Sequence, residues 1–162
     1  MPQPIAVYPG SFDPVTLGHL DLIERACRMF DRVIVAVSNN PSKKNTFSVS
    51  ERIEMVESSV RTLPQAEVDT FSGLLVEYMK TKKANLILRG LRAISDVDYE
   101  FQLASMNHRL SPKVETVFLM PDEQYTYLSS SMVKEVARMG SKLDTMVSPF
   151  VAKKLRDKFH IK

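Results

Sequence analysis

Five short apolar runs, each followed by a stretch with helical spacing, constrain this chain more than any other feature. Ile5-Ala6-Val7-Tyr8 reads as a buried strand closed by Pro9-Gly10, and a helix follows from about His19, with Leu20, Ile23, Cys27 and Phe30 three and four residues apart. Val33–Val37 is the second strand, broken by Asn39-Asn40-Pro41-Ser42. Ser48 with Glu51 three residues on forms a capping-box pattern, which opens a helix carrying Ile53, Val56 and Val60. Weaker β character at Glu67–Phe71 precedes a helix over about Leu74–Lys82, and Asn85–Leu88 is the fourth strand. A longer helix then aligns Ile94, Val97, Phe101 and Ala104 on one apolar face, leaving Glu100 outside it. Val114–Leu119 is the fifth strand, stopped by Pro121, and two helices follow Ser129 and Ser148. A β-α unit repeated five times predicts an α/β chain with a doubly wound, five-stranded parallel sheet and helices on both faces. A length of 162 residues fits one such domain spanning 1–162.

Composition narrows the setting. The longest apolar runs fall far short of the ~20 residues of a membrane span, so no membrane partner is expected. The chain starts Met-Pro-Gln-Pro, with neither a basic nor an apolar leader pattern, and has a single cysteine, Cys27, which reads as inert core. These features point to a reducing cytoplasm. Lys and Arg number 22 against 19 Asp and Glu, for a net charge of +3. That excess favours anionic ligands and is too small to indicate a nucleic-acid partner.

In sheets of this kind ligands bind beyond the carboxyl ends of the strands, where strand order reverses. The polar clusters Pro9-Gly10-Ser11, Lys43, Ser72-Gly73, Arg89–Arg92 and Tyr125–Ser131 each follow a strand and belong at that end. The five glycines cannot form a G-x-G-x-x-G or G-x-x-x-x-G-K-[ST] phosphate loop, which removes the usual dinucleotide dehydrogenases and P-loop NTPases. The three histidines are scattered, so no zinc-ligand spacing exists, and a G-x-S-x-G elbow is absent. What remains is Tyr8–His19. Its loop delivers Thr16-Leu17-Gly18-His19 to a helix start, where free N–H groups and the helix dipole favour an anion. His19 adds a side-chain donor, and the dipole favours its neutral form.

This segment resembles the T/H-x-G-H signature of the nucleotidylyltransferases, relatives of the class I aminoacyl-tRNA synthetases. Four blocks together are similar to the bacterial phosphopantetheine adenylyltransferase family across essentially the whole chain. They are Tyr-Pro-Gly-Ser-Phe-Asp-Pro at 8–14, Pro-Ser-Lys-Lys at 41–44, Arg-Gly-Leu-Arg-Ala at 89–93 and Ser-Ser-Ser-Met-Val-Lys-Glu at 129–135. The resemblance implies a Rossmann-like fold and reversible transfer of the adenylyl group of ATP to 4′-phosphopantetheine, giving dephospho-CoA and pyrophosphate in coenzyme A biosynthesis. It implies direct in-line attack without a covalent enzyme intermediate, Mg²⁺ bound mainly through the ATP phosphates, a homohexamer, and CoA as feedback inhibitor.

Residue by residue, the resemblance makes His19 the transition-state stabiliser, with Lys43 and Arg89 as the other catalytic groups. ATP contacts fall on Ser11, Phe12, His19, Gly90, Leu91, Arg92 and Glu100, and on Tyr125, Thr126, Tyr127, Leu128, Ser129, Ser130 and Ser131. Phosphopantetheine contacts fall on Ser11, Lys43, Leu75 and Arg89. Ser11 stands where the family more usually has threonine, and either hydroxyl can hold a phosphate oxygen. No protein metal ligand is implied. Three other readings are a nucleotidylyltransferase acting on nicotinamide mononucleotide or using CTP, a non-catalytic ATP-binding module, and a basic nucleic-acid binder. The 89–93 and 129–135 blocks weigh against the first, and His19 against the second. The third lacks an aromatic-rich basic strand.

Overall fold

The computed structural model describes residues 4–161. Five parallel strands, β1 (Ile5–Gly10), β2 (Arg32–Ser38), β3 (Ala66–Phe71), β4 (Leu86–Gly90) and β5 (Glu115–Leu119), form one sheet in the order β3-β2-β1-β4-β5. The helices are α1 (Leu17–Met29), α2 (Val49–Val60), α3 (Leu75–Lys82), α4 (Ile94–Leu110), α5 (Ser130–Arg138) and α6 (Pro149–Phe159). The expected doubly wound α/β architecture is therefore present.

Alternation along the central strands divides the interior in two. Val33, Val35 and Val37 of β2, with Tyr8 and Leu88, meet the apolar sides of α1, α2, α5 and α6. Ile34 and Ala36, with Val7 and Ile87, pack on the opposite face against Val76 and Met79 of α3. The Ser48–Glu51 capping box forms as expected: Glu51 Oε2 accepts the Ser48 N–H at 2.7 Å, and Ser48 Oγ accepts the Glu51 N–H at 3.2 Å.

Two details depart from the sequence reading. First, β1 continues through Pro9 and Gly10, which pair with Ala36 and Val37 of β2, whereas its pairing with β4 involves only Ala6 and Val7. Pro9 turns its carbonyl toward Arg89 of β4, whose Nη1 donates to it at 3.2 Å. The N–H that proline lacks therefore belongs to a side where the ladder has already ended. The separation of β1 from β4 beyond Val7 opens the sheet at its point of reversal.

Second, α4 does not bury the face expected of it. Ile94 is 92 % exposed and Phe101 53 %, while Glu100 is only 7 % exposed and is the one buried residue of that helix. The reason is electrostatic. A carboxylate can be enclosed when it meets a guanidinium, and Glu100 meets Arg89.

Candidate active site

At the carboxyl ends of β1 and β4 lies a cavity of about 620 Å³. Its wall includes Ser11, Phe12, His19, Lys43, Arg89, Gly90, Arg92, Glu100, Tyr125, Leu128, Ser129, Ser130 and Ser131. A smaller cavity of about 230 Å³ adjoins it, lined in part by Phe71, Leu75, Leu103 and Asn107. Pro9, Gly10, Ser11, Lys43, Arg89, Tyr99 and Glu100 line both, so Ser11, Lys43 and Arg89 are among the residues where the two spaces meet. Most of the expected site residues thus converge at one end of the sheet. Leu91, Thr126 and Tyr127 lie outside both linings. The Leu91 N–H donates to Leu119 O, and Thr126 Oγ1 donates to Glu123 O.

His19 is placed by its own helix. Thr16 is the N-cap of α1: its hydroxyl accepts the His19 N–H at 3.3 Å, and its backbone N–H donates to His19 Nδ1 at 3.0 Å. The imidazole takes the place that glutamate usually fills in a capping box. Because Nδ1 accepts, the proton of the neutral ring sits on Nε2. The Phe12 ring packs edge-on against His19 with centroids 5.1 Å apart, and Tyr8 packs edge-on against Phe12 at 5.4 Å. Phe12 holds a left-handed backbone (φ 48°), a conformation that costs a non-glycine residue about 1 kcal/mol or more. The turn there lets Ser11 face the cavities while the Phe12 side chain enters the core.

Burial of the imidazole, with Arg92 and then Arg89 nearby, holds the His19 pKa down to about 4. The ring is therefore a neutral Nε2–H donor at physiological pH. Its folded pKa lies below the ordinary value of 6.5, so the unfolded chain binds a proton in that interval that the folded chain does not. His19's contribution to stability is complete above about pH 6.5 and is lost as pH falls toward 4. Nitrogen-15 NMR of the imidazole should show an Nε2–H tautomer that persists below pH 6 and titrates near pH 4. A midpoint near 6.5 would contradict this environment.

Arg89 and Glu100 form a two-pronged pair, with Arg89 Nε and Nη2 donating to Glu100 Oε2 and Oε1 at 2.8 and 2.6 Å. Burial alone would lower the Arg89 pKa, but the Glu100 carboxylate outweighs it and raises it, so the cation is secure. Arg92 donates to Leu128 O at 3.3 Å, tying the β4–α4 turn to the segment before α5. At α5, Ser129 is the N-cap, its hydroxyl accepting the Met132 N–H at 3.1 Å, and Ser130 Oγ donates to Pro14 O at 2.8 Å. The first-turn N–H groups of α5 border the larger cavity and suit an anion.

Gly90 permits the close approach of α1 to β4, because a Cβ there would stand 2.5 Å from Leu22 Cδ1. Gly18 faces Tyr125, where a Cβ would make ordinary contact at 3.5 Å.

Sequence reasoning missed Asp13 and Arg52, both buried beneath this site. Their available signal was position: Arg52 precedes Met55 and Val56 by three and four residues, on the buried stripe of α2. Together the groups present can hold a polyanion and offer a fixed neutral donor to charge developing on it.

A model of the cytidylyltransferase-like family matches residues 7–136. The chain is 54 % identical over 159 residues to the phosphopantetheine adenylyltransferase of Geobacter sulfurreducens, covering 98 % of this chain and 97 % of that one. It is 52 % identical over 155 residues to the phosphopantetheine adenylyltransferase of Caldanaerobacter subterraneus subsp. tengcongensis, covering 96 % and 97 %. Among solved structures, a Vibrio parahaemolyticus protein provisionally assigned as a nicotinate-nucleotide adenylyltransferase superposes with a TM-score of 0.68 at 16 % identity, covering 95 % of this chain and 91 % of that one. A lipopolysaccharide core biosynthesis protein from Thermoplasma volcanium superposes with a TM-score of 0.55 at 19 % identity, covering 75 % and 99 %. These two carry the fold alone.

Proposed function

We infer the catalytic chemistry from one premise: the chain belongs to the cytidylyltransferase-like family and, within it, to the phosphopantetheine adenylyltransferases. It is a nucleotidyltransferase that moves the adenylyl group of ATP to 4′-phosphopantetheine, giving dephospho-CoA and pyrophosphate, a step of coenzyme A biosynthesis.

The observation that carries the mechanism is the junction of two cavities at Ser11, Lys43 and Arg89. ATP occupies the larger one, its triphosphate against the start of α5 and its α-phosphate against His19. The arm of phosphopantetheine occupies the smaller one beside Leu75, and its phosphate meets Lys43 and Arg89 at the shared wall. An oxygen of that phosphate attacks the α-phosphorus of ATP in line, the bond to the β-phosphate oxygen breaks, and pyrophosphate leaves. No covalent enzyme intermediate forms. The His19 Nε2–H donates to the α-phosphate as its charge grows, while the two cations hold adjacent anions that would otherwise repel.

Mg²⁺, when bound, would enter with the ATP phosphates and would offset their charge. Among the described residues no group of three or more His, Cys, Asp or Glu could hold a metal ion. Glu100, which lines both cavities, is committed to Arg89, so the donor set fits a cation brought in by nucleotide.

CoA, which joins a pantetheine arm to an adenosine nucleotide, suits the same two cavities as a feedback inhibitor. The homohexamer is proposed from the family resemblance, and the exposed apolar side chains Ile94, Phe101 and Met106 of α4 offer a face for contact between copies. Among the described residues no helix is long and apolar enough to cross a membrane. A single cysteine, which has no partner within the chain for a disulfide, supports a reducing cytoplasm as the setting of the reaction.

The test is pyrophosphate release from MgATP with and without 4′-phosphopantetheine. Release should depend on that acceptor, and Lys43→Ala should raise its KM by about tenfold or more while changing ATP affinity little. Release without the acceptor, or with nicotinamide mononucleotide in its place, would defeat the reading.

A further inference from the structure

Two charged residues outside the substrate contacts are buried where charge is expensive. Arg52 is 1 % exposed and Asp13 5 %. Well-packed apolar residues often stabilise such positions equally well, so what these two hold in place is informative.

Asp13 reaches across the site to the β2–α2 loop. Its Oδ2 accepts the Thr46 N–H at 2.8 Å and its Oδ1 the Phe47 N–H at 2.9 Å. Lys134 of α5 donates to the same Oδ2 at 3.0 Å and balances the charge. Arg52 grips the other sides of this region: Nη1 donates to Ser11 O at 2.6 Å and Ser38 O at 2.9 Å, and Nε to Phe47 O at 3.3 Å.

Ser38 and Phe47 are the two ends of the loop that carries Lys43. Within the loop, the Lys43 N–H donates to Asn40 O and the Asn45 N–H to Lys43 O, both at 3.1 Å. A side chain on a free excursion of eight residues, 39–46, would have no fixed place. Here both ends are tied by charged groups to the loop that presents Ser11.

We propose that Asp13 and Arg52 are positioning residues that lock the Lys43 loop onto the Ser11 turn, setting where the acceptor phosphate is held. The inference rests on the reading of Lys43 as a contact to that phosphate. Asp13→Asn keeps the shape of the side chain but offers one oxygen to two N–H groups, and its amide leaves Lys134 without a carboxylate. Arg52→Lys keeps the charge but gives a single nitrogen for three carbonyls.

The deciding experiment is a double-mutant cycle on kcat/KM for 4′-phosphopantetheine, with enzyme concentration fixed by active-site titration with ATP. Lys43→Ala and Asp13→Asn should each lower it by about tenfold or more, and the double variant should be no worse than Lys43→Ala, because both act through one contact. Losses that multiply would make Asp13 a purely structural residue and overturn the proposal. If Lys43→Ala leaves kcat/KM unchanged, the role of Lys43 fails first and takes this inference with it. Should Asp13→Asn not fold, Arg52→Lys enters the same cycle with the same expectation and the same overturning result.

Discussion

His19→Ala should lower the turnover of MgATP and 4′-phosphopantetheine by about 10²–10³-fold, the usual cost of deleting a preorganised donor to developing charge. Nucleotide affinity should change far less, since the start of α5, Arg92 and the serine hydroxyls remain. The measurement is initial-rate pyrophosphate release beside calorimetric titration with ATP. The variant also removes the acceptor of the Thr16 N–H at the head of α1, so it should unfold with about 1 kcal/mol less stability. Thermal unfolding separates that loss from the catalytic one. Wild-type turnover in a folded His19→Ala enzyme would remove the histidine from the chemistry and leave it only its cap.

Glu100→Ala should produce the largest loss of stability among the site residues. It strips the carboxylate from Arg89, a guanidinium that the pair leaves 27 % exposed. Breaking a fully buried pair costs about 3–5 kcal/mol; with Arg89 partly solvated, about 2–3 kcal/mol is expected, or about 5–10 °C in melting temperature for a chain of this length. The double variant Arg89→Met with Glu100→Leu should regain much of that stability, because neither charge is then stranded. It should not regain affinity for 4′-phosphopantetheine, because the cation proposed to meet its phosphate is gone. Melting curves and acceptor KM for the three proteins test both parts. A double variant that melts as low as Glu100→Ala would show that the pair's shape, and not its charge, holds α4 in place.

The order and type of the elements were legible because β1, β2, β4 and β5 are compact β-branched or apolar runs, the weaker β3 (AEVDTF) falls between two helical stretches, and α2 carries its own start signal. The location of the site followed from topology, since four of the five polar clusters at strand ends supply cavity walls. The orientation of α4 was not legible. Ile94, Val97, Phe101 and Ala104 are spaced as any core-facing stripe would be, and local spacing cannot reveal that Glu100 has a guanidinium waiting on another element. Similarly, Pro9-Gly10 signals a stop in any single strand, and only the parting of β1 from β4 makes it harmless to continue. Asp13 and Arg52 were overlooked because charged side chains are ordinarily solvated, and their partners lie elsewhere in the chain: for Asp13 two backbone N–H groups more than thirty residues away and the Lys134 side chain, for Arg52 backbone carbonyls five to forty-one residues away.

The imidazole of His19 is oriented by a peptide N–H, that of Thr16, with the Thr16 hydroxyl 3.1 Å from the same Nδ1. In many enzymes a side-chain carboxylate orients the catalytic histidine, and a single base change can erase it. A main-chain group survives every replacement at its own position except proline. The Nε2–H tautomer is thereby insulated from mutational drift at residue 16, whose side chain can be lost at the expense of helix stability while the ring keeps its proton on Nε2.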